Sequence, residues 1–355
     1  MNTKMAVSLF LGIVISAFAL YLSFRNVPLD ELSSYIISIQ YIWIIPAVGA
    51  VLLAFVLRAL RWQVILTSSI KVGFFTAFHP LMIGFMINCV LPGRIGEIAR
   101  PVILRKKENI PFSTGLATVA IERVFDISLV LLLFIVVILT VDIDPDLDMT
   151  FGRYHLSRDA LISVGEGMVR LSILLIIGIL MVGIGKTRQW IKRCITGLPV
   201  ILFFVNPSLK QRISHRICIP LVGIIENFAV GFSLITSPKK VIICSGLSLM
   251  IWVLAAYSYY LIAKGCPGIT LSFSEITAVM VIVCFFIALP SVPGFWGIWE
   301  AGGVFALSLF GVSAKDAAGY TLVNHAIQVF PVIIVGMVSA VLLGINILHV
   351  SQEKG

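Results

Sequence analysis

The sequence predicts an all-α, polytopic membrane protein with about six spans plus two re-entrant helical hairpins arranged as an inverted repeat. The first observation is composition: 59% of the 355 residues are hydrophobic and 12% are charged. Soluble domains are about 45–50% apolar and about 25% charged. The second observation is that the apolar residues are gathered in runs long enough to cross a bilayer. The third is that two of these runs are broken by proline and glycine.

This composition excludes a soluble enzyme, a nucleic-acid-binding protein and a disordered scaffold as interpretations of the whole chain. The net charge of +9 requires no nucleic-acid partner, because Lys and Arg accumulate in the cytoplasmic loops of membrane proteins. The six cysteines show no C-x-x-C spacing, so the sequence predicts neither a disulfide framework nor a zinc site. No cofactor is expected, and no nucleotide-binding G-x-x-x-x-G-K-[ST] loop is present that would support an ATP-driven pump.

The apolar runs define six predicted spans, at residues 5–24, 41–57, 115–141, about 165–184, 241–263 and about 317–348. The first run follows Lys4 but has the length of a full span, so a retained span is predicted instead of a cleaved signal peptide. Loop charges orient the spans, because basic loops stay in the cytoplasm. The basic stretches 58–71, 100–108 and 186–216 are therefore cytoplasmic, and the acidic stretch 142–159 is external.

The whole chain is interpreted as a single membrane domain, 1–355. Its halves, 1–184 and 241–348, are joined by a basic, amphipathic, cytoplasmic linker at 186–239. When the spans are oriented so that the basic loops are cytoplasmic and the acidic loop is external, both termini are predicted to lie in the cytoplasm. The plasma (inner) membrane is the expected location, and the bilayer itself is the first expected partner.

Each half contains an apolar run that is interrupted by proline and glycine. The run at 72–104 is broken at Pro92-Gly93, and the run at 274–310 is broken between Pro290 and Gly294. Non-helical backbone at membrane depth is tolerated only where protein or a water-filled cavity surrounds it. Each break therefore predicts the tip of a re-entrant hairpin that lines a cavity. One hairpin enters from each side and each is followed by a long span, as in transporters built from inverted repeats.

Three charged residues follow the first break at three-residue steps. Arg94, Glu97 and Arg100 share one face of a helix that begins after Pro92-Gly93. The free N–H groups of such a helix and the two guanidinium groups predict a phosphate site, with Glu97 orienting the arginines or carrying a proton. The alternative is an Arg–Glu pair that anchors the hairpin at the headgroup level.

The third predicted span begins with a second charged group, Glu122, Arg123 and Asp126. Glu122 and Asp126 are four residues apart and face one way. Charges inside a membrane are costly, face the bundle interior and usually pair, so Arg94 or Arg100 is their expected partner. A binding role and a buried ion-pair network both remain open.

In the second half, Glu300 follows the second break, and Asn324 and His325 lie early in the last span. His325 could titrate or donate a hydrogen bond to an anion. The alternative is a hydrogen-bonded histidine with a packing role. All three are candidate residues for binding the substrate.

Three motifs resemble those of the flippase-like membrane domain of lysylphosphatidylglycerol synthases and its stand-alone relatives: Leu91–Arg100, Ile121–Asp126 and Pro293–Glu300. The resemblance extends over nearly the whole chain. It implies a multi-pass fold and movement of lipid between leaflets. Full-length synthases carry an aminoacyl-transferase domain after the membrane part, whereas this chain ends at Gly355, so the synthase reaction is not expected here. Relatives often have an arginine where this sequence has Asn324-His325.

Three functions fit these observations. The first is a transporter or flippase for an anionic lipid, either a phospholipid or a polyprenyl-phosphate-linked glycan. In it Arg94, Arg100 and Arg123 would hold the phosphate, and Glu97 and Glu300 would gate or relay protons. The second is a non-catalytic partner of a separately encoded lipid- or glycan-modifying enzyme. The third is a membrane-embedded transferase whose first-half carboxylates act as acid, base or metal ligands.

Overall fold

The computed structural model describes residues 27–67, 71–91, 94–140, 148–151, 154–157, 185–201, 237–288 and 293–345, and isolated positions outside these ranges. The regular structure in these ranges is helical apart from one antiparallel hairpin, in which β1 (Asp148–Phe151) pairs with β2 (Tyr154–Ser157). The all-α class is therefore confirmed, with a short hairpin inside the stretch that we predicted as an external acidic loop. The predicted spans at 5–24 and about 165–184 lie largely outside the described residues.

The helices of the described ranges are α1 (Leu29–Ser38), α2 (Ile44–Leu66), α3 (Phe74–Val90), α4 (Gly96–Glu108), α5 (Phe112–Thr140), α6 (Gly185–Ile201), α7 (Pro238–Gly265), α8 (Phe273–Ala288), α9 (Ile298–Ser308) and α10 (Ala314–Leu343). Four of these, α2 with the 3₁₀ turn before it, α5, α7 and α10, are long and apolar enough to cross a membrane. They confirm the spans predicted at 41–57, 115–141, 241–263 and about 317–348.

The second span ends later than the sequence pattern predicted. Its helix α2 continues to Leu66, so Arg58 and Arg61 lie within a helix and not in a cytoplasmic loop. Arg61 is completely buried. The predicted boundary at residue 57 was wrong because it assumed that the first arginine marks the water interface, whereas these guanidinium groups face the interior of the bundle.

Two pairs of short helices occupy the regions of the predicted hairpins. Helices α3 and α4 pack against each other across the first break, and α8 and α9 pack across the second. With 17 and 16 residues, α3 and α8 fall short of the roughly 20 residues that cross a hydrocarbon core. Their insertion into a membrane from opposite sides, and the inverted repeat, remain predictions.

The two halves interlock through these pairs. Helix α10 of the second half packs along α3, and α5 of the first half contacts both α4 and α8. Helix α2 packs along α7. The 3₁₀ turn Pro293–Phe295, at the tip of the second pair, contacts α3. This interlocking brings the two breaks together in the middle of the bundle.

Two glycines allow α3 and α4 to approach closely. A Cβ atom added at Gly96 would overlap the carbonyl oxygen of Gly84 and lie 2.6 Å from Asn88 Oδ1. We expect Gly96→Ala to lower the free energy of unfolding by about 1–3 kcal/mol, because a helix backbone cannot yield locally as a flexible side chain can. Thermal unfolding in detergent measures this loss.

Gly49→Ala is the matched control for that substitution. Gly49 lies on the exposed face of α2, and no atom lies within 4 Å of an added Cβ. Alanine at such a helical position is expected to be neutral or to stabilise by about 0.5–1 kcal/mol. Similar losses of stability for the two substitutions would contradict close packing at Gly96.

Candidate functional site

A cavity of about 240 Å³ lies where the two helix pairs meet, and Arg94 and Phe295, which lie beside the two breaks, line it. Its charged lining residues are Arg58, Arg94, Glu97, Arg123 and Asp126. Its aromatic lining residues are Phe55, Phe85, Trp252, Tyr259, Phe295 and Trp299. The cavity therefore combines aromatic walls with an excess of positive charge.

The tips of the two helix pairs contact each other beside this cavity. Nη2 of Arg94 donates a hydrogen bond of 2.7 Å to the carbonyl oxygen of Ile287, in the last turn of α8. The last carbonyls of a helix have no partner within the helix, so the guanidinium of one tip caps the other pair. Arg94 and Phe295 both adopt positive φ, at 53° and 62°, and the Arg94 Cζ lies 5.8 Å from the Phe295 ring centroid. The strained backbone of each tip thus lies at the contact between them.

The predicted anion site at the start of α4 differs from the observed geometry. The helix begins at Gly96, so Arg94 precedes it and does not share its face with Glu97 and Arg100. The Gly96 N–H donates to Asn88 Oδ1 at 2.8 Å and so has a partner within the protein. Arg94 is exposed towards the cavity, whereas Arg100 is buried.

A buried ion-pair cluster lies behind the cavity wall. Arg61 Nη1 lies 2.8 Å from Asp126 Oδ1, and Arg61 Nη2 lies 3.7 Å from Glu122 Oε1. The other oxygen of Glu122 pairs with Arg100, and Arg61 also donates to Ser248 Oγ at 2.8 Å. One arginine thus contacts both carboxylates, as their four-residue spacing on α5 requires. These charges join α2, α4 and α5.

Arg123 extends the cluster to the edge of the cavity. Its Nε lies 3.7 Å from Glu97 Oε1 and its Nη1 lies 3.6 Å from Asp126 Oδ2. The side chains of Arg123 and Glu97 are 33% and 28% exposed, so this end of the cluster is open to a ligand while the inner end is closed.

Arg100 is held by an aromatic ring as well as by its carboxylate partner. Its guanidinium carbon lies 4.0 Å from the centroid of Trp62, and the Trp62 indole donates to Thr118 Oγ1 at 3.0 Å. The pair of Arg100 with Glu122 agrees with one of the partners that we expected from sequence. The other expected partner, Arg94, has no carboxylate at ion-pair distance among the residues that the structure describes.

Arg58 is a lining residue that sequence reasoning missed. Its Cζ lies 5.5 Å from the ring of Phe55, 5.7 Å from Phe85 and 5.9 Å from Trp252. Within the described ranges no carboxylate lies at ion-pair distance from it. The sequence did contain an indication of this role. Arg58 and Arg61 lie inside an apolar pattern that continues at helical spacing to the end of α2.

A second buried polar cluster stabilises the tip of the second helix pair. His325 Nδ1 lies 2.6 Å from Glu300 Oε1, and His325 Nε2 lies 2.7 Å from the carbonyl oxygen of Gly294. Glu300 Oε2 accepts the Gly297 N–H at 2.6 Å. Both side chains are fully buried, and the histidine ring stacks on Trp299. Neither residue is among the residues that line the cavity, and both contact the tip beside it.

The two nitrogens of His325 both face acceptors. A carbonyl oxygen accepts only, so Nε2 must carry a hydrogen. The short contact between Nδ1 and the carboxylate requires one more proton, on either the ring or Glu300. The pair therefore retains one proton between two groups inside the protein.

Asn324 is buried beside this cluster, and its Oδ1 lies 3.5 Å from Nε2 of Gln328, which lines the cavity. Within the part of the chain that the structure describes, no group of three His, Cys, Asp or Glu residues is placed to hold a metal ion.

The four spans, the two helix pairs and the charged cavity between them define a multi-pass membrane protein with an internal polar site. The chain belongs to the family described as the lysylphosphatidylglycerol synthase TM region, whose model matches residues 9–336. This membership confirms the family that the three sequence motifs indicated.

Two curated proteins show the breadth of this similarity. The chain is 25% identical to glycosyltransferase AglD of Haloferax volcanii, over 98% of the chain and 56% of AglD. It is 23% identical to UPF0104 membrane protein MJ1078 of Methanocaldococcus jannaschii, over 76% of the chain and 98% of that protein. The chain thus spans little more than half the length of AglD. No solved structure matches it significantly.

Proposed function

We propose that this protein moves an anionic lipid between the two leaflets of the membrane, with the lipid headgroup in the cavity between the helix pairs. The observation that carries the proposal is the presence of Arg58 and Arg94 in the cavity wall, neither with a carboxylate partner in the described ranges. Guanidinium groups bind phosphate through planar, paired donors. A phospholipid and a polyprenyl-phosphate-linked glycan both supply such a phosphate.

The size of the cavity supports a headgroup and not a whole lipid as its occupant. A volume of about 240 Å³ is below the roughly 300–1,000 Å³ of pockets that enclose drug-sized ligands. The hydrocarbon tails would therefore stay in the bilayer while the headgroup passes through the protein.

The contact between the tips supplies a gate in this proposal. If the helix pairs enter from opposite sides of the plasma membrane, with both termini in the cytoplasm, separation of either tip opens the cavity to one leaflet. Arg94 lies in that contact and is also exposed to the cavity. Glu97 would exchange its contact with Arg123 as the phosphate binds, and Glu300 with His325 would carry a proton at the second tip.

The printed name of AglD supports a connection with glycan processing and favours a polyprenyl-phosphate-linked glycan among the possible substrates. The second candidate is a non-catalytic membrane partner of a separately encoded lipid- or glycan-modifying enzyme, and it is compatible with a match to only 56% of AglD. A membrane-embedded transferase has less support, because Glu97, Glu122 and Asp126 each contact at least one arginine that competes with a proton or a metal ion.

A leaflet assay in reconstituted vesicles tests the proposal. Labelled anionic phospholipids and polyprenyl-phosphate lipids are placed in one leaflet, and their appearance in the other is followed. We expect Arg94→Gln to slow transport about 10- to 100-fold, because a hydrogen bond to a charged group contributes about 1.5–3 kcal/mol. Arg105→Gln, at the exposed end of α4, is the control and should leave the rate unchanged.

The thermal stability of each variant is measured in parallel, since Arg94 also caps α8. Equal rates for wild type and Arg94→Gln would contradict a role for this arginine in binding the headgroup. Absence of movement for every lipid, with folded protein in the vesicles, would overturn the transport proposal and favour the partner function.

A further inference from the structure

The charges around the cavity do not balance. The ion-pair cluster contains three arginines and three carboxylates, and so is neutral as a whole: Arg61, Arg100, Arg123, Glu97, Glu122 and Asp126. Arg58 and Arg94 lie outside this cluster and line the cavity. Among the residues that the structure describes, the excess around the cavity is therefore two positive charges.

The contacts of these two arginines stabilise the guanidinium groups without neutralising them. Arg58 is surrounded by three aromatic rings, which attract a cation through their quadrupoles but carry no net charge. Arg94 donates to a carbonyl oxygen, which is also neutral. Uncompensated charges inside a membrane protein are costly, and a ligand with two negative charges removes both costs at once.

We infer that the cavity selects a dianionic phosphate group, carried by a lipid as a terminal phosphomonoester or a diphosphate, over the single charge of a phosphodiester. This inference rests on the proposed function and narrows its substrate class: a glycan joined to a polyprenyl lipid through a diphosphate fits, whereas one joined through a single phosphate is a phosphodiester and does not. A phosphomonoester carries about −1.5 to −2 at neutral pH, because its second proton dissociates near pH 6. A phosphodiester has no second proton to lose, so it leaves one arginine uncompensated.

The test compares two labelled lipids with identical acyl chains in vesicles that contain the full chain. Phosphatidic acid carries a phosphomonoester and phosphatidylglycerol a phosphodiester. At about pH 7.5 we expect phosphatidic acid to move at least about 10-fold faster after subtraction of protein-free vesicles, because its second charge meets an arginine in a partly desolvated site. At about pH 5.5 the phosphomonoester is mostly singly charged, and the preference should fall towards equality.

Phosphatidylglycerol is the control for protein groups near the cavity that could also titrate between the two pH values. The described titratable residues in the wall, besides the two arginines, are Arg123, Glu97, Asp126, Cys89, Cys284 and Tyr259. A change in any of them affects both lipids, whereas loss of the second phosphate charge affects only phosphatidic acid. The ratio of the two rates therefore isolates the charge of the ligand.

Arg58→Gln tests the charge count directly. It removes one of the two uncompensated charges and leaves the ion-pair cluster intact. We expect the preference for phosphatidic acid at about pH 7.5 to fall to less than about twofold, since one arginine is matched by one charge. Arg105→Gln should retain the wild-type preference.

The possible results distinguish failure of the two-charge inference from failure of the proposed lipid transport. Equal movement of the two lipids at about pH 7.5, or a preference that Arg58→Gln leaves unchanged, would overturn the two-charge inference and leave lipid transport standing. No movement of phosphatidic acid, phosphatidylglycerol or a polyprenyl diphosphate would overturn the proposed function itself. Protein-dependent uptake of inorganic phosphate without lipid movement would show that the site binds a soluble ion. It would overturn the inference that the bound phosphate belongs to a lipid.

Discussion

Glu122→Gln is expected to lower the free energy of unfolding by about 3–5 kcal/mol. Glu122 is 1% exposed, and its two oxygens contact Arg61 and Arg100. Glutamine preserves the shape of the side chain but removes the charge. Arginine does not release its proton in proteins, so the guanidinium of Arg100 stays charged and buried with no carboxylate contact left in the described ranges. The penalty is the desolvation of this charge.

Denaturant or thermal unfolding of the purified protein in detergent measures the loss. Glu31→Gln is the control, because Glu31 is exposed and pairs with Lys315 at 3.9 Å. Surface pairs of this kind contribute about 0.2–1 kcal/mol. The double variant Glu122→Gln with Arg100→Met should be more stable than Glu122→Gln alone, since it removes the orphaned charge. A loss no larger than that of Glu31→Gln would contradict the buried network.

The parts of the fold that sequence predicts are those governed by local hydropathy. The spans at 115–141 and 241–263 agree closely with α5 and α7, because a run of apolar residues long enough to cross the bilayer has few other stable conformations. Paired short helices occur at both proline–glycine breaks. The end of the span at 41–57 was wrong because the rule that charges mark the water interface fails where a charge has a buried partner.

The pairing within the site was less predictable, because it depends on packing between elements distant in sequence. Sequence places Arg94, Arg100 and Arg123 on equal terms as phosphate ligands. Packing separates them: Arg100 faces Glu122 inside the bundle, and Arg94 faces the cavity. Arg61 of α2 donates a hydrogen bond to Ser248 of α7, which is distant in sequence, and so it faces the interior of the bundle. A local sequence pattern does not predict this contact.

His325→Leu is the second substitution with a large expected effect, a loss of about 3–5 kcal/mol. It leaves the carboxyl group of Glu300 fully buried without its partner. It also leaves the carbonyl oxygen of Gly294 without the hydrogen bond from Nε2. Because that carbonyl belongs to the tip Pro293–Phe295, transport in vesicles should fall together with stability. Unchanged stability would show that the contacts of His325 contribute little to the tip.

Glu300→Gln is the matched variant, and it is expected to cost less than about 1 kcal/mol. The glutamine amide can donate to Nδ1 of a neutral His325, its carbonyl can accept the Gly297 N–H, and Nε2 keeps its bond to Gly294. The same Glu→Gln change is thus severe where arginines surround the carboxylate and mild where the partner is a histidine, which can release its proton. Equal losses of stability for Glu300→Gln and Glu122→Gln would contradict the conclusion that His325 and Glu300 share a single proton.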